Sequence, residues 1–412
     1  MLFMKQKKRA LEGVKILDFT QVYSGPYCTM LLADLGAEVV KVESIGIGDQ
    51  SRNFAPIKDN VSGYFNYLNR NKRSITLNLK QESGKQAALD LAKWADVVIE
   101  NFSAGTIAKL GLGYEKVKQV NPNVVFASLS GFGQYGPYKN RLAYDAIAEA
   151  MGGLTSLSGP PERSVKVTPA ISDAITGIHM AFGVMIALFH RERTGEGQLV
   201  DVAMMDSVMS ILEAAVMQRT LLGNDPKRLG NATESAVPYD MYPCKDGEIV
   251  LACASDSTFN KFCGVMGRED LCKDPLYYTN PVRIANREGI DKIIRDWCME
   301  RTKDEVIDAC MTAKVPAAPV MTISDLVDDP HVAAREMLIE LEDPTHGKVK
   351  YPGNPIKLSE TPAQFRTRAP RLGEHTDEVL QSILGYSQEQ IDALRGAGAI
   401  GEKICLNIEG ES

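Results

Sequence analysis

The chain has 412 residues, enough for two or three domains of about 150 residues each. Hydrophobic residues make up 44% and charged residues 24%, which excludes a disordered, collagen-like or disulfide-scaffold chain. Forty-six basic against fifty-three acidic residues leave a net charge of −7, which disfavours a broad nucleic-acid or anionic-membrane footprint but allows a local basic pocket for an anionic ligand.

Lys5, Lys7, Lys8 and Arg9 open the chain, but Leu11 to Phe19 is interrupted by Glu12, Lys15 and Asp18 and does not read as an export signal. From Val14 to Phe19 the pattern is a strand, followed by a loop to Pro26, a helix to Gly36 and a second strand over Glu38–Glu43. Pro26 suits a first helical turn and Gly36 a helix end, so this stretch reads as one βαβ unit. The alternation continues through a strand over Ser74–Leu79, a helix over Glu82–Ala95, a strand over Asp96–Glu100, a helix over Thr106–Val120 and a strand over Val124–Leu129. Repeated β/α alternation predicts an α/β domain with a parallel sheet covered by helices.

Two apolar helices are predicted over Ala174–Arg193 and Asp201–Leu222. The apolar run Ile178–Phe189 is too short to span a bilayer and reads as a buried helix. After Gly223 the texture changes: Tyr239–Cys244 and Glu248–Ala254 flank Lys245-Asp-Gly247, a hairpin signal, and helical segments follow to about Thr312. The reading is a first domain over 1–224, a smaller α+β domain over 225–325 and a last section over 326–412 with two strand-like runs and two short helices. Eight cysteines without a C-x-x-C pair read as reduced thiols of a cytosolic, cytoplasmic protein.

Gly131-Phe-Gly-Gln-Tyr-Gly136 follows a strand but opens no helix, so it reads as a substrate-side loop rather than a dinucleotide motif. His179 and His190 have no metal-site spacing, no Ser sits in a G-x-S-x-G elbow, and no metal site is expected. Asn69-Arg-Asn-Lys-Arg73 is either a solvated strand entrance or a phosphate pocket beside the carboxyl edge of the sheet. Asp173 stands at the start of a long apolar helix, where an N-cap is the plain explanation. The dipole and amides of a helix start also favour an ionised carboxylate, which suits a nucleophile. Asp145 has a cap role for the next short helix, or a place near Asp173.

In order and spacing, Leu17-Asp-Phe, Ser24-Gly-Pro26, Leu35-Gly-Ala-Glu-Val-Val-Lys-Val-Glu43, Asn71-Lys-Arg-Ser74, Glu100-Asn-Phe102, Ser130-Gly-Phe-Gly-Gln134, Asp173, Thr194-Gly-Glu-Gly-Gln198 and Pro370-Arg-Leu-Gly-Glu-His375 resemble the class III coenzyme A transferases over nearly the whole chain. The resemblance implies a Rossmann-like large domain formed by both ends of the chain, a smaller domain between them, and an interlinked homodimer. It implies Asp173 as nucleophile, and CoA contacts at Tyr23, Ser24, Leu77, Asn78, Leu79, Lys80, Asn101, Phe102 and Lys109. Leu142, Tyr144 and Asp145 would line the pantetheine and acyl end, with Tyr64 facing the acyl group.

A CoA thioester is then a substrate rather than a tightly bound cofactor, and the partners are an acyl-CoA and a small carboxylic acid, with no nucleic acid and no membrane. The chain departs from the family pattern at Ser44 and Ser103-Ala104, where many members carry Arg and Arg-Pro; Arg52 and Lys109 are the substitutes it offers. Related α-methylacyl-CoA racemases carry a His where this chain has Tyr144, and a phenol with a pKa near ~10 is a poor base at neutral pH. The glycine-rich lid of oxalate-using members is absent: that stretch reads Asn231-Ala-Thr-Glu-Ser-Ala-Val-Pro238. A non-catalytic acyl-CoA-binding protein is the reading from another class, and the retained Asp173 speaks against it.

Overall fold

The structure, a computed structural model, describes residues 9–402, so Lys5, Lys7, Lys8 and Cys405 lie outside the described residues. Six strands form one sheet: β1 (Lys15–Asp18), β2 (Glu38–Glu43), β3 (Lys72–Thr76), β4 (Val97–Glu100), β5 (Val125–Ser130) and β6 (Leu199–Ala203). Their spatial order is β3-β2-β1-β4-β5-β6 and every pairing is parallel. This is the doubly wound dinucleotide-fold order, which reverses direction between β1 and β4 and opens a crevice outside the carboxyl ends of those strands.

The alternation of side chains explains why helices cover both faces. Leu17, Val40, Ile75, Val98 and Phe126 point to one face and pack with α3 (Glu82–Trp94) and the C-terminal helices. Ile16, Val39, Val97, Ile99 and Val125 point to the other and pack with α1 (Ser24–Asp34) and the long helix Ile171–Thr194. Each buried Val, Leu or Ile contributes roughly 1.5–3 kcal/mol relative to exposure, so both faces must be covered.

Three predicted elements change. The strand read over Ser74–Leu79 is Lys72–Thr76, because the chain leaves the sheet after Leu77 and the Asn78 N–H donates to the Ala399 carbonyl. The helix read over Thr106–Val120 is α4 (Thr106–Lys109) and α5 (Tyr114–Val120), divided where Gly111 turns at φ +80°. The helix read over Asp201–Leu222 begins instead as β6, whose Leu-Val-Asp-Val-Ala run suits an edge strand, and continues as separate helices over Met204–Met209 and Ala215–Leu222. Ile171–Thr194 is, among the described residues, the one helix long and apolar enough to cross a membrane; its Met180, Val184 and Ala187 are buried in the core but Ile178, Phe182, Ile186 and Phe189 are exposed, so the run read as a buried helix is buried on one face only.

The described chain divides into two compact units. One takes the chain to Leu154, Val167–Val216 and everything from Ala333 onward; the other takes Thr155–Lys166 and Met217–Val332. Within the second, the strands Tyr239–Cys244, Gly247–Ala252 and Ala317–Pro319 form an antiparallel sheet, the first two as the hairpin around Lys245-Asp-Gly247. Tyr242, Ile249, Phe259, Phe262, Ile290 and Ile294 fill its core.

Candidate active site

Two cavities lie along the carboxyl edge of the six-stranded sheet, both within the first unit. One, of about 420 Å³, is lined by the residues that follow β1, β2 and β3, including Thr20, Ser44, Leu77, Asn78, Leu79 and Lys80. The other, of about 280 Å³, is lined by Val22, Ser24, Asn101, Ser130, Leu142, Tyr144 and Asp173. Gln21 and Phe102 line both, so the cavities adjoin at the point where the strand order reverses.

Side chains hold the loop after β1 in place. Asn101 clamps Gln21 on both sides: its Oδ1 accepts the Gln21 N–H at 2.8 Å and its Nδ2 donates to the Gln21 carbonyl at 2.7 Å. Tyr23 occupies the N-cap position of α1 without a side-chain capping hydrogen bond, and Ser24 is the first residue of that helix. A side chain at Gly177 would meet the Ser24 carbonyl at 2.6 Å, so glycine there lets the helix of Asp173 close onto the first turn of α1.

Asp173 is the third residue of its helix, and the flanking Ala170 offers no side-chain cap. The N-cap explanation for Asp173 is therefore replaced. The capping acceptor comes from another helix: Asp145 Oδ1 accepts the N–H groups of Ser172 at 3.0 Å and Asp173 at 3.4 Å and the Ser172 hydroxyl at 2.9 Å. Asp145 is buried and absent from the cavity wall, so it holds the helix start in place where an acyl-lining role was expected.

Tyr23 and Tyr64 stand beside Asp173 without lining its cavity. Their rings lie 5.9 Å apart, within a cluster that includes Tyr27 and Tyr67. Burial, and then neighbouring groups including the Asp173 carboxylate, push both phenols well above their ordinary range, so they remain protonated hydrogen-bond donors. Glu100, the last residue of β4, is pushed up to about 7, first by burial and then by Asp201, against the pull of the Ser128 hydroxyl and the Phe102 N–H.

Leu142 and Tyr144 are exposed at the mouth of the Asp173 cavity. Lys109 is exposed and lines neither cavity, and Arg52 is committed to a paired contact with Glu43 at 2.8 and 2.7 Å. Arg52 is thus already paired rather than free to replace the arginines absent at Ser44 and Ser103, and Lys109 stands outside both cavities. The Gly131–Gly136 loop runs from β5 to the short helix α6 (Asp145–Met151), and its Gln134 N–H donates to Asp201 at 3.0 Å.

The basic run meets neither expectation. Arg70 is fully buried and pairs with Asp34 at 2.8 Å, Lys72 is buried against Asp18 at 3.3 Å, and Arg73 pairs with Glu38 and Glu378. The run ends α2 (Gly63–Asn69) and opens β3, at the opposite edge of the sheet from these two cavities, where Asn71, Lys72 and Arg73 line a separate cavity of about 370 Å³.

Sequence reasoning missed Gln21, Val22, Asp49 and Lys41. Lys41 carried a signal. It interrupts the apolar strand Glu38-Val-Val-Lys-Val-Glu43, and a strand buried on both faces tolerates a lysine only with a buried partner, here Asp49 at 2.9 Å.

A family model described as CoA-transferase family III matches residues 11–376. The succinyl-CoA:mesaconate CoA-transferase of Haloarcula hispanica is 41% identical over 385 residues, covering 90% of this chain and 96% of its own length. The formyl-CoA:oxalate CoA-transferase of Afipia carboxidovorans is 38% identical over 418 residues, covering 96% of this chain and 98% of its own. The crystal structure of a CAIB/BAIF family protein from Brucella suis superposes with a TM-score of 0.82 at 35% identity, covering 92% of this chain and 100% of that one.

Proposed function

The chain belongs to CoA-transferase family III and is a CoA-transferase, and we propose that it moves coenzyme A from a donor acyl-CoA to an acceptor carboxylic acid through covalent intermediates on Asp173. The observation that carries this reading is the Asp173 carboxylate opening on a cavity that adjoins the one lined by Leu77–Lys80. A CoA thioester lying along that edge would have its nucleotide end toward Lys80 and its acyl end at Asp173.

The proposed steps balance without an outside proton or electron. An Asp173 oxygen attacks the thioester carbonyl carbon, the C–S bond breaks, and CoA thiolate leaves a mixed anhydride. The thiolate attacks the Asp173 carbonyl carbon, releasing the donor as its carboxylate and leaving an aspartyl-CoA thioester. The acceptor carboxylate attacks that thioester, and the expelled thiolate takes the acceptor acyl group and frees Asp173. Because each step exchanges one activated acyl bond for another, the thioester's free energy is retained and no nucleotide triphosphate is needed. Each tetrahedral intermediate needs donors for its oxyanion; the protonated Tyr23 and Tyr64 phenols and the first amides of α1 are candidates.

A homodimer, interlinked as the family resemblance implies, belongs to the same proposal. Ile178, Phe182, Ile186 and Phe189 recur at helical spacing along the Ile171–Thr194 helix and are all exposed, an apolar stripe suited to burial against a second copy. We place the enzyme in the cytoplasm, with succinyl-CoA and formyl-CoA as the first donors to try, and mesaconate and oxalate as the first acceptors, from the names of its relatives.

The test is mass spectrometry of protein incubated with donor acyl-CoA alone. The expected product is an adduct of CoA mass on Asp173 that disappears on adding acceptor acid. Transfer at the wild-type rate by Asp173→Ala rejects the mechanism.

A further inference from the structure

The loop at the reversal point of the sheet stores backbone strain that the transfer steps leave unused. Val22 has φ +69°. A β-branched residue rarely occupies that region and holds it only where its surroundings over-determine it. They do so here. Asp49 Oδ1 accepts the Val22 N–H at 3.0 Å, and also the Ser51 N–H at 2.9 Å and hydroxyl at 2.8 Å. The fully buried Lys41 ties Asp49 at 2.9 Å to the Thr20 carbonyl at 2.6 Å, and Glu43 accepts the Asp49 N–H at 2.9 Å. With the Asn101 clamp on Gln21, three consecutive residues after β1 are each held by a polar side chain.

Val22 lines the Asp173 cavity, whereas Asp49, almost wholly buried, lines the adjoining one and is absent from the Asp173 wall. We infer that Asp49, fixed by Lys41, is a positioning residue for CoA transfer: by holding the Val22 N–H it keeps the strained turn, and so the thioester carbonyl, within attack distance of Asp173. The inference rests on the transfer reaction proposed above. One Asp49 oxygen gathers the Val22 and Ser51 N–H groups while the other pairs with Lys41, so the carboxylate joins the strained turn to the strand that carries Lys41. A misplacement of about 1 Å at a reacting centre can lower the rate about 10²-fold.

The test is a cycle of Asp49→Ala and Val22→Gly, with kcat and KM measured for donor acyl-CoA. Glycine occupies φ +69° without strain, so the clamp should matter less beside it. Asp49→Ala should lower kcat about 10- to 100-fold with KM changed less than about 3-fold, and should lower kcat less than about 3-fold when Val22→Gly is already present. If Asp49→Ala does not fold, Lys41→Met with Asp49→Ala removes both buried charges and replaces it in the same cycle. Equal losses in both backgrounds, a rise in KM with kcat unchanged, or full kcat in the folded variant each overturn the clamp. A wild-type protein that forms no CoA adduct overturns the transfer reading beneath it, an outcome visible before any variant is made.

Discussion

The two edges of the parallel sheet both carry ion-paired side chains, but only the carboxyl edge also turns Asp173 and Lys80 toward the two adjoining cavities. At the amino edge, Arg70 is buried with Asp34, and Asn71 bridges Asp34 to the Gln364 carbonyl at 2.8 Å. The Arg70 guanidinium also donates to the Pro352 carbonyl at 3.0 Å. These groups fasten the returning C-terminal section, through Pro352, Gln364 and Glu378, to the strands and helix of the N-terminal part. At the carboxyl edge, Asp173, Tyr144 and Lys80 face open cavities instead. Both edges border unfilled space, since Asn71, Lys72 and Arg73 line a cavity of about 370 Å³ with Arg366 and Arg368; what differs is that Arg70, Lys72 and Arg73 are already paired with carboxylates.

Substitutions at the two edges should separate accordingly. The largest effect is expected at Asp173: Asp173→Asn should lower turnover at least about 10³-fold while the melting temperature stays close to wild type, read by a CoA-exchange assay and calorimetry. At the other edge, Arg70→Met should cost about 3–5 kcal/mol of stability, because it leaves Asp34 buried without its partner. The folded fraction should keep its kcat, and a kcat loss beyond the unfolded fraction would erase the division between the edges.

Glu100 sharpens the comparison through pH. Its carboxyl is raised from the ordinary 4.5 to about 7, so between those values the folded protein holds a proton that the unfolded chain has released. The contribution of Glu100 to wild-type stability therefore falls as pH rises through that window. Glu100→Gln has no proton to lose, so its stability relative to wild type should improve by about 1–3 kcal/mol from pH 4.5 to 7.5 in denaturant titrations. A constant difference would mean that Glu100 titrates normally. The smallest effect is expected at Lys80, which is exposed: Lys80→Ala should raise KM for acyl-CoA about 2- to 5-fold at low salt, shrinking at high salt.

The fold's core was legible because it depends on local pattern. Val-Lys-Ile-Leu-Asp-Phe and Glu-Val-Val-Lys-Val-Glu around a Pro26-to-Gly36 helix announce a βαβ unit, and the hairpin at Lys245-Asp-Gly247 announces its own turn. Asp201–Ala203 reads as the start of a helix because a short run before a longer helical pattern is locally ambiguous; pairing with β5 makes it the end of the strand Leu199–Ala203. Asp173 was legible as a helix-start carboxylate, but the identity of its cap was not, since Asp145 arrives from a different helix.

Sequence alone determined the β/α alternation, the helix bearing Asp173 and the kinship of the motifs, all of which follow from short-range periodicity and residue order. Only the tertiary structure decided that Arg70 and Lys72 are fastenings, that Asp145 is a support, and that Lys41 and Asp49 hold a strained turn. Those roles depend on which distant groups share a desolvated space. A buried charge is stable only with its partner, and nothing in the spacing along the chain states which partner that will be.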